Sequence, residues 1–203
     1  MKKILCFGDS NTFGYDPSNG FRFSKEIRWT GVLQKLCDGT FEIIEGGCNN
    51  RTCFRDNPEG EKFTGYKALP KLLETKPDIV ILAIGTNDLQ RIYRTTEQEI
   101  KFGIENLIEI TKKQSPNAEI ILVATPPIGQ EVLSSGIFAF LFDKNSIEKS
   151  QQLGNIYQQV SEQYGCKFLD LAPYITPSQI DGLHFDKDGH KKVAELLFQI
   201  ITS

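Results

Sequence analysis

The sequence predicts an α/β protein, a three-layer α/β/α sandwich around a five-stranded parallel sheet, and three observations carry that expectation. Five short runs of β-forming composition recur along the 203 residues, and stretches with helical periodicity lie between them. Two of the runs, "DIVILAI" and "EIILVA", are apolar at nearly every position, the pattern of strands covered on both faces. Strands alternating with helices imply right-handed βαβ units, hence a parallel sheet with helices on both sides.

Taken in order, the expected strands are "KILCF" at 3–7, "FEIIE" at 41–45, "DIVILAI" at 78–84, "EIILVA" at 119–124 and "CKFLDL" at 166–171. Trp29, Val32, Leu33 and Leu36 fall at i, i+3, i+4 and i+7 and draw one helical stripe between the first two strands. A second helix starts at Thr96, where Thr96 and Glu99 have capping-box spacing and Ile100, Ile104, Leu107 and Ile108 follow on one face. A third carries Leu153, Ile156, Tyr157, Val160 and Tyr164. The last starts near Asp188 and presents Val193, Leu196, Leu197 and Ile200. The stretch from Pro126 to Asn145 has no clear period, and its "GIFAFLF" is apolar without an evident partner face. A lid, a pocket wall, a subunit contact and plain core packing all fit it.

The length suits one domain, residues 1–203, with a sizeable core. Acids and bases nearly balance, at a formal charge of -3, and are spread along the chain, so neither a nucleic acid nor an anionic membrane is an expected partner. The opening "MKKILCFGDSN" stops being apolar at Gly8, short of a signal-peptide core, and no later run is long enough to span a bilayer. Five cysteines, odd in number and without a Cys-x-x-Cys pair, suggest free thiols in a reducing cytoplasm. With two histidines and no cysteine suitably spaced with them, neither a metal nor another cofactor is expected.

Open parallel sheets place ligands beyond the carboxyl ends of their strands. The residues found there are Gly8-Asp9-Ser10-Asn11, the 46–52 turn "GGCNNRT", Gly85-Thr86-Asn87-Asp88 and, beyond a short loop, Asp181-Gly182-Leu183-His184. Ser10 sits where a strand turns sharply, a place that suits a nucleophile as well as a helix-capping serine. A serine nucleophile requires a base. Of the two histidines, His190 lies beside lysines at the start of the last helix and reads as solvated, which leaves His184. Asp181, three residues earlier, can fold back onto the imidazole Nδ1–H and leave Nε2 to accept from serine, with Gly182 easing the bend. Donors for a developing oxyanion can come from the Asn87 side chain, the Ser10 N–H and the 47–50 turn.

In order and spacing these loops resemble the conserved blocks of the SGNH or GDSL hydrolase superfamily, whose fold is flavodoxin-like. "FGDSNTFG" resembles the first block, "GTND" the third and "DGLH" the last. The resemblance implies Ser10 as nucleophile, Asp181 and His184 as its triad partners, and Asn87 as an oxyanion donor. In the second block, "EGGCNNRT", Asn50 stands where the family has its oxyanion glycine, with Gly47 the alternative if the alignment is shifted. The Asn50 side chain would then narrow the pocket or add a polar contact. "FGDSNTFGY", "RWTGVLQKL", "GCNNRT" and "GTNDLQRIYRTT" are similar to the bacterial arylesterase/acyltransferase branch. That likeness implies short acyl esters as small-molecule substrates, hydrolysis or acyl transfer, no metal, and homo-oligomers whose neighbours shape the entrance. Asn11, Tyr15 and Leu89 become candidate pocket linings, though core packing explains Tyr15 and Leu89 equally well.

The expectation is a serine esterase. The same machinery would also serve a carbohydrate O-acetylesterase, a lysophospholipase or a thioesterase. A flavodoxin-like phosphate or nucleotide-binding module is the non-enzymatic alternative, against which Asp9 counts, because a carboxylate in the first loop repels phosphate.

Overall fold

The computed structural model describes residues 1–203. Its elements run β1 (Lys2–Gly8), α1 (Ser10–Phe13), α2 (Trp29–Leu36), β2 (Phe41–Gly47), α3 (Gly65–Leu73), β3 (Ile79–Ala83), α4 (Glu97–Gln114), β4 (Glu119–Ala124), α5 (Phe138–Leu141), α6 (Lys144–Ser150), α7 (Leu153–Tyr164), β5 (Lys167–Asp170) and α8 (Lys187–Thr202), with 3-10 turns at Glu61–Phe63, Thr86–Leu89 and Gln130–Ser134. All five strands are parallel in one sheet of order β2-β1-β3-β4-β5.

Period-two alternation sorts the strand residues between two cores. Ile4, Cys6, Ile79, Ile81, Ile121 and Val123 face the layer of α2 and α8, meeting Trp29, Leu33, Val193 and Leu197. Leu5, Phe7, Val80, Leu82, Ile120 and Leu122 face α3, α4 and α7, meeting Leu69, Ile104, Leu107, Tyr157 and Val160. The near-continuous apolar runs of β3 and β4 are therefore buried twice over. Thr96 caps α4 with the reciprocal Glu99 bonds that its spacing predicts. All five cysteines are free thiols, and no helix is long and apolar enough to cross a membrane.

Two features differ from the sequence expectation. The first is α3, whose pattern is obscured by Gly65 at its start and Pro70 within it. Proline removes one helical hydrogen bond, a loss that costs about 3 kcal/mol in isolation. Burial of Leu69 and Leu73 in the core beside β1 and α4 overrides it. The second is His190, which is fully buried rather than solvated. It lies three and seven residues before Val193 and Leu197, so it shares the α8 stripe that packs on α2. Its Nδ1 accepts the Trp29 N–H at 3.3 Å, and Phe23 and Phe185 meet its ring edge-on at 5.3 and 5.7 Å. Burial, with the His184 charge adding to it, holds its pKa down at about 4.

The chain order reverses between β1 and β3, because the connection after β1 leads to one side of it and the connection after β2 crosses to the other. A topological switch point of this kind opens a crevice beyond the carboxyl ends of the two strands. Glu45, near the carboxyl end of β2, fastens the long loop that follows α1. Arg28 donates to it bidentately at 2.7 and 2.9 Å, Arg22 at 3.0 Å and Thr30 Oγ1 at 2.5 Å. Burial alone would raise this carboxyl, but these partners hold its pKa at about 2.

Because the folded pKa lies below the unfolded value, the stabilisation is present at neutral pH and is lost as pH falls through about 4.5 toward 2. With allowance for solvent screening, Glu45→Gln should cost about 1–2 kcal/mol in urea unfolding at pH 7. The gap from wild type should shrink below pH 4.5, and a gap unchanged at pH 3 would remove the ionic contribution.

Candidate active site

Ser10 opens the one-turn helix α1 directly after β1. Asp9 caps that turn, its Oδ1 accepting the Asn11 N–H at 3.0 Å. Gly8 makes the sharp exit possible, since a Cβ there would run into the Thr12 side chain and the Ala83 carbonyl. The Ser10 hydroxyl lies 2.8 Å from His184 Nε2, and His184 Nδ1 lies 2.6 Å from Asp181 Oδ2. Asp181 and His184 are both buried.

Local bonding explains how residues 174 positions apart come together. Asp181 Oδ1 accepts the N–H groups of Leu183 and His184 at 2.9 and 3.0 Å, so one carboxylate folds the loop and holds the ring. Gly182 adopts φ +67°, a left-handed conformation that glycine reaches at little cost, and its carbonyl accepts the Gly129 N–H at 2.8 Å. The Asn11 amide brackets His184: Nδ2 donates to the Leu183 carbonyl at 3.2 Å and Oδ1 accepts the Phe185 N–H at 3.0 Å. Burial raises the Asp181 carboxyl, but its bond to His184, the imidazole charge and the backbone donors outweigh that and hold it below its ordinary value. Tyr15 stacks on the imidazole at 4.2 Å between ring centroids, and Phe138 lies 5.3 Å away.

Across the crevice, Asn50 has φ +57°, the left-handed region that the turn requires at this place. Its N–H and that of Ser10 donate to no protein group. Asn87, on the 3-10 turn after β3, donates one Nδ2 hydrogen to the Arg51 carbonyl at 3.1 Å and lines the same cavity as Ser10. Asp88 points the other way and accepts the N–H groups of Cys53, Phe54 and Arg55 at 2.5, 3.0 and 3.2 Å, tying the β2 and β3 loops together. Burial pushes both Asp88 and Asp9 up to about 6 despite these donors. Arg51, stacked on Phe7, donates to the Gly8 and Gly46 carbonyls and clamps the ends of β1 and β2.

These groups surround a cavity of about 360 Å³ whose apolar wall is Ile137, Phe138, Leu141, Phe142 and Leu183. Ser10, Asn11, Tyr15, Asn50, Asn87 and His184 all line it. Leu89 does not line this cavity: the 3-10 turn packs it against the core, and it borders the adjoining groove instead. Asn11 lines the cavity with its amide already engaged in holding the His184 loop. The Asn50 side chain, expected to narrow the pocket or add a polar contact, is held by Glu59 and Gln90, and Asn50 and Glu59 both line the cavity. The 126–145 stretch is both wall and core: α5 and Phe142 form the wall, and Ile128, Val132 and Phe142 are buried. Phe138, Glu59 and Gln90 escaped the sequence reading, although Gln90 directly follows the "GTNDL" block and Phe138 lies inside the unpaired apolar run. No group of three or more His, Cys, Asp or Glu side chains is placed to hold a metal.

Residues 6–192 match the model of the GDSL-like Lipase/Acylhydrolase family. The chain is 26% identical over 210 residues to an acetylxylan esterase of Xylanibacter ruminicola, covering 96% of this chain and 42% of that protein. It spans less than half the length of the curated relatives it matches. Among solved structures, the native M. smegmatis aryl esterase superposes with a TM-score of 0.92 at 29% identity, covering 100% of this chain and 99% of that one. A carbohydrate acetylesterase from Sinorhizobium meliloti does so with a TM-score of 0.92 at 26% identity, with coverage of 100% and 99%.

The order Asp181, His184, Ser10 carries a spectroscopic expectation. The Nδ1 proton, buried and shared with a carboxylate, should resonate downfield of the amide protons in 1H NMR. In Asp181→Asn the new NH₂ faces Nδ1 and favours the opposite tautomer, so that signal should vanish while the fold persists. An unchanged downfield proton in the variant would break the assigned order.

Proposed function

The chain belongs to the GDSL-like lipase/acylhydrolase family, and from that premise we propose that it hydrolyses carboxylic esters through an acyl-enzyme on Ser10. The 2.8 Å approach of Ser10 Oγ to His184 Nε2, backed by Asp181, is the observation that carries this reading. Ser10 Oγ attacks the ester carbonyl and its proton passes to His184 Nε2. Asp181 keeps Nδ1 protonated and supports the imidazolium that forms. The oxyanion accepts from the Ser10 N–H, the Asn50 N–H and the free Asn87 Nδ2 hydrogen, donors set in place before reaction. Collapse expels the alcohol, which takes the proton from His184. Water, deprotonated by the same ring, then releases the acid and restores Ser10, and a second alcohol in place of water gives acyl transfer instead. Tyr15 and Phe138 shield the ring from bulk water. A phosphate-binding module would leave the His184–Asp181 pair without a task.

The acyl side is small and apolar, which favours acetyl and other short chains over the long chain of a lysophospholipid. The alcohol side is different. A polar groove of about 1010 Å³ adjoins the cavity through the shared residues Asn50, Glu59 and Leu141. Tyr93 and Phe140 offer it ring surfaces, and Arg91, Arg94 and Asn145 offer polar ends. That lining supports a hydroxylated alcohol such as a sugar, the ester type named by the acetylxylan and carbohydrate acetylesterase relatives.

A fluorophosphonate probe should label the folded protein on one peptide at Ser10, and Ser10→Ala should lose roughly 10⁴-fold or more in turnover. Labelling elsewhere, or an active Ser10→Ala, would sink the mechanism. Across aryl esters of rising acyl length, acetyl should give the highest kcat/KM. Phe138→Ala should move the optimum to longer chains, and an unmoved profile would take Phe138 out of the acyl wall.

A further inference from the structure

Asn50 is a non-glycine residue in a left-handed conformation, and its backbone N–H points away from every protein acceptor. Left-handed backbone at a residue with a Cβ costs about 1–2 kcal/mol, so the turn keeps this shape only while something fastens it. Three bonds do so. Asn50 Nδ2 donates to Glu59 Oε1, Gln90 Nε2 donates to Asn50 Oδ1 at 2.9 Å, and Asn57 Nδ2 donates to the Asn50 carbonyl at 2.8 Å.

Gln90 also reaches the opposite wall of the site. The same Nε2 donates to Asn87 Oδ1 at 3.1 Å, and the Gln90 side chain is nearly fully buried. Its two amide hydrogens thus go to two carbonyl oxygens, one on each asparagine of the oxyanion site. By occupying Asn87 Oδ1, it keeps the Asn87 NH₂ turned toward the Arg51 carbonyl and the cavity. A glutamine that only filled space would have no reason to divide its donors in this way.

We propose that Gln90 is a positioning residue that orients both Asn50 and Asn87 as oxyanion donors, with Glu59 anchoring Asn50 from its other side. The inference rests on the reading of Ser10, Asn50 and Asn87 as the oxyanion donors. It accounts for a residue other than glycine at position 50: the side chain that replaces hydrogen supplies the two handles, Oδ1 and Nδ2, by which the turn is held. Gln90 touches no reacting atom. Its effect passes through the direction of two N–H groups, and an error of about 1 Å in such a direction can cost about 10²-fold.

Gln90→Glu exchanges the donor for an acceptor and repels both Oδ1 atoms, which favours a flipped Asn87 whose oxygen faces the developing oxyanion. Gln90→Met removes the donor at similar volume. With an aryl acetate, both variants should lose about 10- to 10²-fold in kcat while KM stays within about threefold, since only transition-state contacts are weakened. Glu59→Ala should lose kcat in the same manner, and Glu59→Gln, which keeps an acceptor for Asn50, should lose much less. Glu59 is exposed, so its variants carry the test where a Gln90 variant does not fold. A folded Gln90→Glu enzyme with wild-type kcat, or one altered in KM alone, would overturn the inference. So would equal losses in Glu59→Gln and Glu59→Ala. Ser10→Ala separates the two levels: if it stays active, the underlying mechanism falls and the inference with it. If it is inactive while the Gln90 variants match wild type, only the positioning role falls.

Discussion

The Asp181 carboxylate takes three donors at once, the N–H groups of Leu183 and His184 on one oxygen and the His184 ring on the other. A carboxylate this buried is expensive unless it is paired and hydrogen-bonded, so these contacts are a condition of burying it at all. The consequence is mechanical as well as electrostatic. One group sets the loop's shape, the ring's orientation and the nitrogen that carries the proton. The remaining supports, the Asn11 amide bracket and the left-handed Gly182, serve to bring that unit from β5 at the sheet edge to the end of β1.

The opposite wall obeys the same rule with other groups. Asp88 gathers three backbone donors from the segment after β2, and Arg51 gathers the carbonyls that end β1 and β2. Both groups lie below the surface, where burial makes each missing partner costly. Asp9 Oδ2, Thr12 Oγ1 and Asn49 Oδ1 in the same layer nevertheless have no partner, and burial lifts Asp9 and Asp88 to about 6. The Asp88 and Arg51 bonds tie the strand-end turns together. They hold the unpaired N–H groups of Ser10 and Asn50 and the side chain of Asn87 around one small volume.

The fold was largely legible because its signals are local. Apolar runs buried on both faces, one capping box and four helical stripes come from neighbours in sequence, and the sheet follows from their alternation. α3 was not legible, because its Gly and Pro argue locally for a break and only the packing of Leu69 and Leu73 argues for a helix. His190 misled for a related reason: its neighbours are lysines, while its packing partners, Trp29 and Phe23, come from more than 150 residues away. For Leu89 a pocket lining and core packing fit the sequence equally, and the turn packs it on the core beside the groove next to the Ser10 cavity.

Residue identity and spacing by themselves determined the class of fold, the family likeness and the small set of polar side chains at the strand ends, Ser10, Asn87, Asp181 and His184. They could do so because strand ends, turns and a short Asp-x-x-His interval constrain chemistry within a few residues. Tertiary structure alone decided that Phe138 walls the cavity beside Ser10, that Glu59 and Gln90 hold the Asn50 side chain, and that Gln90 joins Asn50 to Asn87. The Gln90–Asn50 and Phe138–His184 contacts join segments 40 or more residues apart, fixed by how the helices pack on the sheet rather than by any interval along the chain.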